Sequence, residues 1–355
     1  MFEFFKDINV DWMGKRKILI AISIVILLAG LASAIGRQAT GGNPFNLGVD
    51  FQGGTVVTAK FRQKPATDDI RGALQTVGVG ESVIQDSTDK PDEVLIKIPN
   101  LGARPQECPD IAATDEAGRC FVKKALDTFG KEAAGATTLQ DDQSAAYKIV
   151  GTDSVGPVAG DQLRNQAIIA TLLGLGVILF FIAYRYDWTY AAGAVIAVFH
   201  DVLITLAFFS IFQWEVSLTV LAAFLTLVGF SVNDSIVIFD RIRENLTLHR
   251  GESLYKLTND SINQTMSRTI VTNGLVFLSV LALVLFGGEV LRGFSLALFV
   301  GSIAGTYSTI AIASPIAIWW QGKLGAAQTK VKETPKNDKL ASASRRSVTR
   351  RPVTR

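Results

Sequence analysis

The sequence predicts a polytopic α-helical membrane protein with six transmembrane helices and a small external α+β domain between the first two. Three observations lead there. Of the 355 residues, 48% are hydrophobic and 19% charged, and the apolar ones are gathered into long blocks. Six blocks approach the length of about 20 apolar residues that a hydrocarbon core of about 30 Å demands: roughly Ile18–Ile35, Asn165–Ala183, Tyr190–Phe212, Ser217–Phe239, Thr269–Phe286 and Gly293–Trp319. Charge is also segregated, with 13 Lys/Arg against 18 Asp/Glu in residues 37–161 and 10 against 2 in residues 322–355. An acidic domain on one side of a bilayer and a basic tail on the other fit that asymmetry. A basic tail at an anionic leaflet needs no nucleic acid to account for it.

The first block follows Lys15-Arg16-Lys17, Arg185 lies between the second and third, and Arg241, Arg243, Arg250, Lys256 and Arg268 lie between the fourth and fifth. The opposite loops, "QWEV" and "GGEVLRG", carry one basic residue between them. The positive-inside rule therefore puts both termini in the cytoplasm and residues 37 to 161 outside. Ala32-Ser33-Ala34 at the end of the first block looks like a signal-peptide cleavage site. The apolar run is longer than the usual 7 to about 15 residues of such a signal, and five further spans make an uncleaved helix the simpler reading. The expected organisation is a cytoplasmic N-terminus with helix 1 (1–36), an external domain (37–161), helices 2 to 6 (162–321) and a disordered basic cytoplasmic tail (322–355).

Within the external segment, "TVVTAKF", "SVIQDS", "EVLIKIP" and "YKIVGTDSVG" read as strands, and "TDDIRGALQTVG" and "CFVKKALDTFG" as helices. Their order, β-α-β-β-α-β, is the split βαβ of a ferredoxin-like domain. Between the third strand and the second helix lies "NLGARPQECPDIAATDEAGRC", a polar insertion holding both cysteines of the chain. Cys108 and Cys120 are read as a disulfide in an external, oxidising compartment. A zinc site lacks support, since neither histidine lies in this segment.

The residues that could carry chemistry are ionisable groups inside spans. A charge at mid-membrane costs about 2.5 to 3.5 kcal/mol on insertion scales, so a retained one faces protein or water. Asp201 follows Tyr190 by 11 residues, about 16 Å into the third span at about 1.5 Å per residue. Asp234 precedes Phe239 by five residues, about 8 Å from the cytoplasmic edge by the same rise. Asp234 is a candidate protonatable carboxylate on a proton path, with Arg268, at similar depth on the fifth span, reaching it in one conformation and releasing it in another. Asn233 is a candidate helper of that pair or an interhelical hydrogen bonder. The competing readings are a permanent ion pair or a wetted Asp234. Asp201, beside His200, is a weaker proton-relay candidate. Asp240, Arg241, Arg243 and Glu244 read as an interfacial cluster that fixes helix orientation.

In the sixth span, Gly293, Ala297, Gly301, Gly305, Thr309 and Ala313 recur every four residues, a smooth stripe for close helix packing. Pro315 should loosen that helix near its cytoplasmic end. The sequence contains no G-x-x-x-x-G-K-[ST], G-x-S-x-G or H-E-x-x-H motif, which gives no support to a nucleotide site, a hydrolase or a metalloenzyme. No cofactor, no metal and no catalytic residue is expected, and energy for transport would come from ions or a partner.

Several stretches together resemble one family: "NLGVDFQGGT" (46–55), "VGP" (155–157), the "HD" at 200–201, "VGFSVNDSIVIFDRIREN" (228–245), "TMSRTIVTNG" (265–274) and "FGGEVLRGFSLALFVGSIAGTYST" (286–309). They are similar to the SecF side of the SecD/SecF family of protein-export membrane proteins, within the resistance-nodulation-division (RND) superfamily. The likeness runs over nearly all the chain except the Cys-bearing insertion and the tail. It implies an RND half-unit of six spans with an external domain, working with SecD beside the SecYEG translocon. There, in the lipid bilayer of the bacterial inner membrane, the proton gradient helps to draw unfolded preproteins across. The family's intramembrane Asp falls on Asp234 and its Arg on Arg268. A further proton-path Asp would come from SecD. Two alternatives stay open at this stage: an RND-type exporter of lipids or small molecules, and a scaffold whose buried charges are inert.

Overall fold

A computed structural model describes residues 9–80, 82–87, 90–99, 114–135, 138–185, 188–249 and 252–331. Asp11 starts the first helix, α1 (Trp12–Ala39), by accepting the Gly14 amide at 2.9 Å and the Tyr255 hydroxyl at 2.7 Å. The helix continues through Ala32–Ala34 without a break, and the Ser33 hydroxyl donates to the Ser210 carbonyl at 3.1 Å. After α1 come the short β1 (Asn46–Leu47) and a single turn, α2 (Val49–Gln52).

The external domain then runs β2 (Gly54–Phe61), α3 (Thr67–Thr76), β3 (Val83–Asp86), β4 (Glu93–Pro99), α4 (Thr114–Leu126), a 3-10 turn (Asp127–Phe129), β5 (Lys131–Glu132) and β6 (Ala145–Val155). The sheet order is β3-β4-β2-β6-β5, antiparallel throughout except where β5 adds a parallel edge to β6. Strand period two drives the layering. Val57, Ala59 and Phe61 of β2, Val94, Ile96 and Ile98 of β4, and Tyr147 and Ile149 of β6 bury one face against Ile70 and Leu74 of α3 and Phe121 and Val122 of α4. This is the ferredoxin-like arrangement that the pattern predicts. One boundary differs: α4 begins at Thr114 rather than Cys120, because the acidic "TDEAG" supplies a good first turn. Cys120 therefore sits within the helix, half-buried, and is not a free thiol. Its expected partner, Cys108, lies outside the described residues.

The bundle comprises α5 (Pro157–Arg185), α6 (Trp188–Phe212), β7 (Glu215–Val216), α7 (Leu218–Leu248), α8 (Leu254–Phe286), α9 (Gly288–Ser308), a π-helical turn (Thr309–Ala313) and α10 (Ser314–Val331). Among the described residues, six helices are long and apolar enough to span a bilayer, the last being α9, the π turn and α10 together. Their most apolar windows are 50% buried in α6, 50% in α7 and 61% in the last, against 11% in α1, 6% in α5 and 17% in α8. The centre is thus α6, α7 and α9–α10, with the other three outside.

Three helix ends overrun the expected limits. α7 continues to Leu248 and α8 starts at Leu254, so both project past the apolar spans on the Arg-rich side. Asn259 and Asn263 on that extension accept the Trp12 backbone amide at 2.8 Å and the Trp12 indole N–H at 2.9 Å. The last helix runs to Val331, past the expected boundary at 321, because "GKLGAAQTKV" is rich in good helix formers; residues 332–355 lie outside the described residues.

The π turn precedes Pro315, which has no amide to donate into the helix. The backbone amide and the hydroxyl of Ser314 both donate to the Thr309 carbonyl, the hydroxyl at 2.8 Å. α6 packs directly on this turn through Gly193, where a Cβ would stand 2.6 Å from the Ala313 carbonyl oxygen.

The "NLGVDFQGG" stretch fastens the external domain to the bundle. β1 pairs in parallel with β7, the Asp50 carboxylate accepts the Leu218 amide at 2.9 Å, and Lys97 of β4 forms an ion pair with Glu215. Gly53 and Gly54 carry φ of 72° and 129°, a conformation that side chains resist. The fastening reaches α7, the helix that carries Asp234.

Candidate functional site

Asp234 is 6% exposed, on the inner face of α7. Its Oδ2 accepts a 2.6 Å hydrogen bond from the Asn273 amide of α8, and the same Asn273 nitrogen lies 3.0 Å from Thr306 Oγ1 on α9. The Asn273 amide therefore links the Asp234 carboxyl of α7 to Thr306 of α9. One turn before Asn273, Thr269 Oγ1 is buried without a hydrogen-bond partner, the one such side-chain atom among the described residues.

Arg268 lies on an exposed face of α8. Its charge acts on Asp234, but the two form no ion pair among the described residues, and Asn273 occupies the near position. The expected contact is open in this conformation. Asn233 does not join the site. It lies roughly 100° round the helix from Asp234 and is exposed, because adjacent helical residues cannot both face one partner. It falls instead on an outward stripe of small and polar residues, Thr219, Ala222, Thr226, Gly229 and Asn233, spaced alternately by three and four.

Asp201, 1% exposed, occupies a separate cluster. Its Oδ2 accepts from Ser231 Oγ of α7 at 2.6 Å and Ser308 Oγ of α9 at 2.9 Å, and its Oδ1 lies 3.0 Å from His200 Nδ1. Between the clusters runs the small-residue stripe. A Cβ on Gly301 would stand 2.5 Å from Leu227 Cδ2, on Gly293 2.9 Å from Val220 Cγ2, and on Gly305 3.4 Å from Ser231 Cβ. Ala297 is buried on the same face. The stripe thus seats α9 on α7 closely enough for Ser308 to reach Asp201 and for Thr306 to reach Asn273. Among the interfacial charges, Arg241 pairs with Glu244 at 2.6 Å and with Gln264 Oε1 at 2.6 Å, tying α7 to α8.

Asn273 and Thr306 are site residues that the sequence reading passes over. Asn273 stands in the quoted "TMSRTIVTNG", five residues after Arg268, and a buried amide in an apolar span was its available signal.

Comparison with known proteins places this geometry. A sequence model described as "Protein export membrane protein SecD/SecF, C-terminal" matches residues 136–323, and the "SecD/SecF GG Motif" matches residues 39–65. The chain belongs to the SecD/SecF family. The SecD/SecF C-terminal match spans Asp201, Asp234, Arg268, Asn273 and Thr306, and the GG-motif match spans Asp50, Gly53 and Gly54. The protein translocase subunit SecF of Koribacter versatilis is 39% identical, aligned over 95% of this chain and 99% of its own. The protein translocase subunit SecDF of Thermus thermophilus is 35% identical over 91% of this chain and 40% of its own. The crystal structure of SecDF from Thermus thermophilus, titled a translocon-associated membrane protein, superposes with a TM-score of 0.72 at 33% identity. That match covers 89% of this chain and 39% of the solved one. Membership of the SecD/SecF family together with six spanning helices makes this a multi-pass membrane protein.

Proposed function

We propose that this chain is the SecF-type half of a proton-driven accessory to protein export. It pairs with a SecD-type chain in the bacterial cytoplasmic membrane, with both termini in the cytoplasm and the ferredoxin-like domain on the external face. There it assists the SecYEG translocon in drawing preproteins across. The observation that carries the reading is the Asp234 carboxyl, buried where α7, α8 and α9 meet, bonded to Asn273 and within the field of an unpaired-by-Asp234 Arg268. A carboxyl held by a neutral amide, with a cation in reserve, has two alternative partners, and proton loading selects between them.

A proton crossing 100 mV yields about 2.3 kcal/mol, enough to bias helices whose states differ by a few kcal/mol. Partnership in the bilayer is supported by the outward stripe of α7, where Asn233 is a poor match for lipid but a good one for another helix. No cofactor or nucleotide is needed for this cycle. Cys108 and Cys120 form a disulfide that staples the insertion before α4.

The test is Asp234→Asn, with expression unchanged, in a gradient-dependent preprotein release assay. Loss of the gradient-dependent part is expected, and normal release by the variant overturns the reading.

A further inference from the structure

His200 and Asp201 form a buried pair for which a relay centred on Asp234 has no use. The two are neighbours on α6, with Nδ1 and Oδ1 3.0 Å apart and exposures of 9% and 1%. Each surrounding helix contributes one or two polar atoms. α7 supplies Ser231 and α9 Ser308, both donating to Asp201 Oδ2, while the Tyr307 hydroxyl of α9 lies 3.4 Å from His200 Nε2 and 3.0 Å from Ser23 Oγ of α1. Of these neighbours only Tyr307 titrates; the next acid, Asp234, is one turn beyond Ser231 on α7.

A single proton on the pair leaves it neutral whichever residue carries it. Removing that proton leaves a net negative charge and adding another leaves a net positive one, and either state carries the cost of a membrane-buried charge. We propose that His200 and Asp201 together are a second proton-binding site of this chain, sharing one proton, and that Ser308 passes its occupancy to α9. Binding forms one O–H or N–H bond and breaks none within the protein.

Ser308 makes the readout. With Asp201 ionised, Oδ2 accepts the Ser308 hydroxyl at 2.9 Å. A proton on Asp201 neutralises the carboxylate and makes Oδ2 a weaker acceptor, which favours rotation of the Ser308 hydroxyl to its other acceptor, the Gly305 carbonyl at 3.2 Å. Thr309 Oγ1 already donates to that carbonyl at 2.9 Å, at the entrance to the π turn. Two residues before Ser308, Thr306 holds Asn273 of the Asp234 site. Consecutive residues of α9 therefore reach both sites, Thr306 through Asn273, Tyr307 at His200 and Ser308 at Asp201 itself, so a change at either site acts on the same turn of helix.

The use of this site in transport rests on the proton-driven reading above; proton binding itself does not. The test is infrared difference spectroscopy of the full-length chain in lipid nanodiscs, following the C=O stretch of protonated carboxylic acids in the Asp234→Asn background. A titrating acid band is expected that disappears in Asp234→Asn/Asp201→Asn and changes frequency in Ser308→Ala. In His200→Gln its midpoint should move by about one pH unit or more, a tenfold change in proton affinity. Tyr307→Phe removes one oxygen while keeping the ring edge against His200, and should give a smaller midpoint shift in a folded chain. Absence of an Asp201-dependent band, or a band indifferent to both His200→Gln and Ser308→Ala, overturns the proposal. Normal export by Asp234→Asn beside such a band would sink the Asp234 reading alone.

Discussion

Asp50→Ala should loosen the start of α7 from a distance of 168 residues in sequence. Ser217 stands at the N-cap of α7 but makes no side-chain cap bond, so the Leu218 amide depends on the Asp50 carboxylate, 2.9 Å away. A helix cap of this type contributes about 0.5 to 2 kcal/mol. A negative charge at the positive end of a helix dipole adds about 0.3 to 1 kcal/mol. Taking about 1 to 2 kcal/mol together, local opening of the first turn of α7 should rise by a factor of about 5 to 30. Hydrogen exchange read by mass spectrometry on a peptide covering residues 215–224 measures this locally, without unfolding the bundle. Asp50→Asn keeps an acceptor and loses the charge, so its effect should fall between wild type and Asp50→Ala. Unchanged exchange in Asp50→Ala, or an Asn variant as fast as the Ala one, would refute the capping argument.

Helix contacts give a graded packing prediction. A Cβ on Gly30 would lie 2.6 Å from the Ala207 Cα, part of a backbone that cannot move aside, whereas one on Gly301 meets the flexible end of Leu227. Gly30→Val should therefore cost more than Gly301→Ala, with about 1 to 3 kcal/mol for the former, read as loss of folded protein after detergent extraction; the reverse order would count against the packing. In the external domain, burial first, then the hydrogen bond to Asp127, pushes the Tyr147 phenol above the ordinary tyrosine range. Because the folded value is the higher one, this contribution to stability is present below the unfolded value of about 10 and is lost as pH rises beyond it. Ultraviolet titration should find a phenol that ionises only with unfolding and that is missing from the Tyr147→Phe variant. Non-reducing mass analysis of protein matured outside the cytoplasm should find Cys108 and Cys120 linked; two free thiols would refute the disulfide.

What could be read in advance follows the range of the forces involved. Spans and strands were legible because hydropathy and period-two alternation are local, and "TVVTAKF" or "EVLIKIP" has few other uses. Asp234 stood out because a carboxylate is costly in hydrocarbon. Its partner did not, since Asn273 is one of several polar residues in spans and only the packing of α8 against α7 selects it. Helical geometry alone separates Asn233 from Asp234, yet which of the two faces inward depends on where α8 lies. The role of Asp50 was invisible for a related reason: its hydrogen bond joins residues that only the β1–β7 pairing brings together. The early start of α4 reflects acidic residues suited to a helix N-terminus, and the run of the last helix to Val331 reflects helix propensity continuing where the apolar pattern stops.

The central claim is that Asp234 carries protons as part of the working cycle. Its most direct measurement is proton flux through the chain reconstituted with a SecD-type partner in proteoliposomes under an imposed gradient, comparing wild type with Asp234→Asn. Flux reduced to the level of protein-free vesicles in the variant is the predicted result. Equal flux in the two proteins would contradict it.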